Sequence, residues 1–118
     1  MVCIVPQKIL WRKNTNNDFC SNSDQRGIDL NRNFDYQWDC CGGIDECGDD
    51  FHGPSPASEP EIQALQDYAR TLFPDNRGDG IDEPAPEDTP GLFIDIHSFS
   101  ELILWPFGYE VRERAEDD

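Results

Sequence analysis

Leu92-Phe93-Ile94-Asp95-Ile96-His97-Ser98 is a short, mostly apolar run that ends on a histidine. Such a run reads as a strand buried on both faces, as in a parallel or mixed sheet. In open α/β sheets, ligands bind outside the carboxyl ends of the strands, and His97 stands at that end. Imidazole is the commonest metal ligand and a frequent acid or base. Taken alone, a histidine after a strand is more often a packed, hydrogen-bonded residue than a ligand. The other stretches of the chain decide between the two.

The length of 118 residues suits one domain. Nine Lys and Arg against 25 Asp and Glu give a net charge of −16. That acidity argues against nucleic acid, whose phosphates need a basic face, and against an anionic membrane surface. No apolar stretch approaches the roughly 20 residues of a membrane span. Met1 to Leu10 has one Lys, a Pro and no long apolar core, so it does not read as a secretory signal. The acidity reads as a solvated surface, with calcium binding as the functional alternative. Asp75, Asp79 and Gly80 begin a calcium-like loop, but Arg77 fills a ligand position and no Glu closes the twelfth place. Calcium is therefore the lesser reading. Five cysteines in so short a chain point to an oxidising compartment. Cys40, Cys41 and Cys47 suggest a metal knuckle, but no second CxxC is present, and disulfides read better. The odd count leaves at least one thiol over.

Along the chain, Ile4 to Arg12 reads as a short edge strand or extended segment. Asn14 to Gly27 has the Asn, Asp and Ser content of turns and loops. In Ile28 to Phe34, charged and amide residues are bracketed by apolar ones. Tyr36 to Pro56 reads as a second loop. Ser58 to Leu72 predicts a helix, with Ser58 and Glu61 as a capping box and Pro60 in its first turn. Ile62, Leu65, Ala69 and Leu72 share one face, and Pro74 ends the helix. Asp75 to Pro90 is an acidic Gly/Pro loop. Leu102 to Phe107 reads as another short strand cut by Pro106, and the tail from Glu110 is charged. The fold class is α/β, a partial mixed sheet with covering helices.

Three stretches are hard to explain structurally: Trp11-Arg12-Lys13, Asp29-Leu30-Asn31-Arg32-Asn33-Phe34 and Ile94-Asp95-Ile96-His97-Ser98-Phe99-Ser100. An Arg flanked by Asn suits a planar anion, because guanidinium grips carboxylate with two parallel bonds and an amide adds a donor. Singly, each Arg reads as half of a surface ion pair. With His97 they suggest a cleft that holds a carboxylate near a metal.

At this point the sequence resembles the zinc metallocarboxypeptidases of the carboxypeptidase A/B type, especially their bacterial members. The resemblance runs from about 11 to 109. Besides the three stretches it includes His52-Gly53-Pro54-Ser55-Pro56-Ala57-Ser58-Glu59-Pro60-Glu61 and the continuation Glu101-Leu102-Ile103-Leu104-Trp105-Pro106. It implies a slice of the zinc carboxypeptidase fold, which is phosphorylase/hydrolase-like, as one partial peptidase domain over 1–118. It implies an enzyme that hydrolyses the C-terminal residue of peptides or proteins, in a secreted or periplasmic location. Residue by residue, His97 matches a zinc ligand, and Arg12 matches the arginine that holds the developing oxyanion. Asn31 and Arg32 match the pair that grips the terminal carboxylate. Ser98, Phe99 and Gly108 match positions along the substrate, with Phe99 where many members have Tyr. His52 matches a loop histidine and not a ligand.

The family's His-x-x-Glu ligands and general-base glutamate have no counterpart here, so the resemblance implies a central fragment. With one of three zinc ligands, the isolated chain is expected to be inactive and to bind zinc poorly. The alternative is a non-catalytic module that binds C-terminal carboxylates. The resemblance also implies a Cys20–Cys47 disulfide, while the adjacent Cys40 and Cys41 are expected not to pair. Finally, it implies that Arg12, Arg32 and His97 converge on one face, with Arg12 between the other two.

Overall fold

The computed structural model describes residues 11–78, 83–97 and 102–104. The chain divides into two compact units, Met1–Gln66 and Asp67–Asp118. No helix among the described residues is long and apolar enough to cross a membrane.

The first unit is built from loops that satisfy their own backbone. Asn and Asp side chains accept N–H groups two residues on, as the loop composition predicts. Asn14 Oδ1 takes Asn16 N–H (3.2 Å), Asn16 Oδ1 takes Asp18 N–H (3.0 Å), and Asn22 Oδ1 takes Asp24 N–H (3.0 Å). Asn14 also pairs with Ile28 through its backbone N–H (3.0 Å) and its Oδ1 (2.8 Å). Asp29 N–H then donates to Phe51 O at 2.8 Å. These links bring Ile28, fully buried, against a small core that includes Cys20, Phe51 and Ile62.

Asn33 is the hub of this unit. Its buried amide nitrogen reaches His52 O (2.8 Å), Ser58 Oγ (2.9 Å) and Ser55 O (3.2 Å). Its Oδ1 accepts Glu59 N–H at 3.0 Å and its carbonyl accepts Ala57 N–H at 2.8 Å. Gly53 permits this close approach. Its φ is +90°, and a Cβ there would lie 2.7 Å from Asn33 Nδ2.

Helix α1 spans Pro60–Leu72. Pro60 sits at the first position, where a missing N–H costs nothing. The expected capping box does not form. Ser58 Oγ accepts from Asn33 and donates to Glu59 Oε1 (3.0 Å), while Glu59 O takes the first intrahelical bonds, from Ile62 and Gln63. Ser58 lies one residue too early to cap. The buried stripe is Ile62 and Gln66, one turn apart. Leu65 and Leu72 of the expected face are exposed, because no element covers them among the described residues.

The expected strand at 92–98 is not present in its described part, 92–97. Leu92, Phe93, Ile94 and Ile96 are exposed, Ile96 at 89%. A strand is stabilised by its pairing with neighbours, and no backbone ladder reaches 92–97 among the described residues. The second unit is held locally instead, by a turn from Thr89 N–H to Pro86 O (2.9 Å) and an edge contact of Phe73 with Phe93. Leu102, Ile103 and Leu104 are likewise exposed and have no strand partner among the described residues. Among the described residues the sheet is reduced to one parallel bridge, Gly43 to Phe51. The edge strand expected from Ile4 falls on residues outside the described ones, except Trp11 and Arg12, which are not strand. Asp79, Gly80 and positions 105–107 also lie outside.

Candidate functional site

Arg12 and the Asn31–Arg32 pair are joined through Asp29. The Arg12 guanidinium donates from Nε (2.9 Å) and Nη2 (2.6 Å) to Asp29 Oδ2. Asp29 is buried at 2% exposure, while the Arg12 side chain is half exposed. The other carboxylate oxygen accepts Asn31 N–H at 3.2 Å and caps a single 3-10 turn over Leu30–Arg32. A buried carboxylate persists only when paired and hydrogen-bonded, and Asp29 meets both conditions. Arg12 spends two of its five N–H groups this way, on a side chain that is half exposed.

Asn31 and Arg32 are presented by that turn. They line a concavity of about 70 Å³ together with Phe34, Trp38, Cys40 and Cys41. Arg32 donates from Nη1 to Asn31 O at 3.3 Å. Among the described residues it has no carboxylate partner, although the chain is strongly acidic. Arg12 lines a different concavity, about 130 Å³, with Trp11, Lys13 and Arg26. Arg26 packs over the Trp11 ring at 5.9 Å. Lys13 is buried and structural, since its Nζ donates to Gln25 O and to Gly48 O (2.8 Å).

His52 is buried beside Trp38, with ring centroids 4.1 Å apart. Its Nδ1 lies 2.9 Å from Gly53 O, which makes Nδ1–H the donor and leaves the buried Nε2 without a protein partner. His97, in the second unit, is exposed and places Nε2 2.6 Å from Asp95 Oδ2. Ser98, Phe99 and Gly108 lie outside the described residues.

Cys20 and Cys47 form the expected disulfide, with Cα atoms 5.1 Å apart. Cys40 and Cys41 are also bridged, against expectation. The pair lies at the end of a 3-10 turn, Trp38–Cys40, entered through Gln37 in the left-handed region at φ +48°. That tight local geometry accommodates the ring between adjacent residues. The fifth cysteine, Cys3, lies outside the described residues.

The polar hub was the part of the site that residue types alone did not assign. Asp29 and Asn33 sit inside a stretch already singled out, two residues either side of Asn31. The available signal was their polarity within an apolar bracket, which demands partners once buried.

Comparison with known proteins settles the relationship. A family model described as zinc carboxypeptidase matches residues 4–118. The chain belongs to the zinc carboxypeptidase family. A metallocarboxypeptidase A-like protein of Trichophyton verrucosum is 35% identical over 112 residues, covering 92% of this chain and 22% of that protein. Mast cell carboxypeptidase A of Rattus norvegicus is 33% identical over 104 residues, 87% of this chain and 21% of its own length. A protein named inactive metallocarboxypeptidase ecm14, of Talaromyces stipitatus, is 34% identical over 104 residues, 85% and 15% of the two chains. The chain thus spans about a fifth of the curated relatives it matches. These relatives are eukaryotic, which leaves the expected bacterial affinity without support. No solved structure matches.

Members of the zinc carboxypeptidase family depend on zinc. Among the described residues no group of three His, Cys, Asp or Glu side chains could hold a metal ion. His97 backed by Asp95 has the carboxylate–imidazole pairing typical of a ligand, which leaves Nδ1 as its donor atom.

Proposed function

We propose that this chain is the carboxylate-recognition segment of a zinc carboxypeptidase that releases the C-terminal residue of peptides or proteins. It is one partial peptidase domain, a slice of a mixed α/β sheet, and it acts outside the cytoplasm, in a secreted or periplasmic setting that suits its disulfides. Asn31 and Arg32 grip the terminal carboxylate, and Arg12 offers its free N–H groups to the oxyanion. Ser98, Phe99 and Gly108 line the substrate, and His97 supplies one zinc ligand. The observation that carries the reading is Arg32. In a chain of net charge −16 it has no acid partner among the described residues, and it shares a concavity with an amide side chain. A fork of N–H donors left unspent beside an amide suits a carboxylate. Arg12, by contrast, is aimed by a buried acid. A positioned cation of that kind stabilises charge that develops during reaction.

The test is affinity for N-acetyl-phenylalanine against its amide. The acid binds and the amide binds at least about tenfold more weakly, the worth of one charge-assisted hydrogen bond. Equal binding of the two overturns the reading. The 118-residue chain alone releases nothing from a blocked dipeptide, because one imidazole does not hold zinc at the affinity of a full site. Hydrolysis abolished by a chelator would contradict that. A second reading, a carboxylate binder without catalysis, is favoured by the relative named as inactive. Arg12 favours the enzyme, since a binder has no need of an oxyanion donor.

A further inference from the structure

The concavity that holds Asn31 and Arg32 has an unusual wall. Cys40 and Cys41 line it, and their sulfurs are bonded to each other. Few other bonds hold that wall. The turn Trp38–Cys40 has no side-chain cap, and its backbone closure is Cys40 N–H to Gln37 O at 3.0 Å. No hydrogen bond to the Cys41 backbone accompanies it among the described residues. Both ends of the segment are set by His52. Trp38 Nε1 donates to His52 O at 3.0 Å, and a Cβ on Gly42 would lie 2.6 Å from His52 Cβ. Between these two fixed points, the covalent ring is what defines the backbone.

We propose that the Cys40–Cys41 ring positions the carboxylate-binding wall, and that its reduction by a dithiol weakens carboxylate binding at Asn31 and Arg32. The inference rests on the carboxylate reading above and adds its regulation. Access favours this disulfide over the other. Cys40 and Cys41 are both exposed, whereas in the other bridge Cys20 is 3% exposed and Cys47 is half-buried. Thiol–disulfide exchange requires that a thiolate reach a sulfur in the bond it breaks. One thiolate of the reductant attacks a ring sulfur, the ring S–S bond breaks, and a mixed disulfide forms. The reductant's second thiolate then displaces the protein sulfur. Two electrons and two protons pass to Cys40 and Cys41, which become thiols, and the dithiol becomes a cyclic disulfide.

The experiment titrates N-acetyl-phenylalanine into the full chain before and after mild dithiothreitol, with the open disulfide mapped by thiol alkylation. The expected result is alkylation at Cys40 and Cys41 with Cys20–Cys47 intact. Affinity falls at least about tenfold, equivalent to one charge-assisted hydrogen bond, and returns on reoxidation. The unfolding midpoint stays unchanged, which separates local positioning from general loss of structure. A Cys40→Ser/Cys41→Ser variant binds as weakly as the reduced chain and ignores dithiothreitol. If that variant does not fold, the reversible cycle on the natural chain decides alone. Unchanged affinity with the ring open overturns the inference and leaves the carboxylate reading standing. So does opening of Cys20–Cys47 first. If the oxidised chain does not distinguish N-acetyl-phenylalanine from its amide, the carboxylate reading fails and the inference fails with it.

Discussion

The two units invert the usual division of residues. In the first, polar side chains are buried: Lys13, Asp29, Asn33, His52 and Glu59 are all nearly inaccessible. In the second, apolar side chains are exposed: Leu92, Phe93, Ile94, Ile96 and Leu102 to Leu104 face solvent. The difference is partnership. The buried polar groups at the centre of the first unit meet defined partners, as Asn33 meets Glu59 and His52, and Glu59 meets Asn14 (2.6 Å) and Asn16 (3.1 Å). A satisfied network of this kind specifies one arrangement of loops. The apolar run of the second unit has no strand partner among the described residues, so its hydrophobicity alone does not build a strand.

The largest effect that probes this contrast is removal of the Cys20–Cys47 bridge. It closes a loop between residues 27 apart. Its loss, as Cys20→Ser/Cys47→Ser, costs about 3–4 kcal/mol in the chain-entropy picture, read as a lowered urea midpoint. A change under about 1 kcal/mol would place the stability of the first unit in its polar network instead.

Asn33→Ala tests the network itself. It leaves Glu59 N–H and the His52 and Ser55 carbonyls without their amide partner. An unsatisfied buried group costs about 1–3 kcal/mol, so about 2–3 kcal/mol is expected by denaturant unfolding. A near-neutral result would mean that water replaces the amide.

Much of this was legible in the residues. Pro60 and Pro74 bracket α1, which ends at Leu72. The Asn-rich loop declared itself by composition, because those side chains mimic backbone turns. The Cys20–Cys47 bridge followed from resemblance. Three features were not legible. Ser58 looked like a helix cap, but it belongs to Asn33, a tertiary partner 25 residues away. Cys40 and Cys41 looked unable to pair, because adjacency is a poor guide once a tight turn sets the geometry. The run at 92–97 looked like a central strand because its composition suits one, yet a strand depends on its neighbours. Of the candidate site, the link from Arg12 through Asp29 to Asn31 emerged only in three dimensions.

The smallest expected effect lies in the second unit. Ile96→Ala removes an exposed side chain and should change stability by no more than about 0.5 kcal/mol. A loss above about 2 kcal/mol would mean that Ile96 is buried in solution and that the contrast between the units is wrong.

The central claim is that Asn31 and Arg32 hold a terminal carboxylate. The most direct measurement follows their side-chain N–H signals by NMR while N-acetyl-phenylalanine is added to the isotopically labelled chain. The account predicts that the Arg32 guanidinium and Asn31 amide signals shift together and saturate, that the corresponding amide leaves them unmoved, and that Arg32→Ala abolishes the Asn31 shift. Saturating shifts elsewhere with Arg32 and Asn31 silent, or identical shifts from acid and amide, would contradict it.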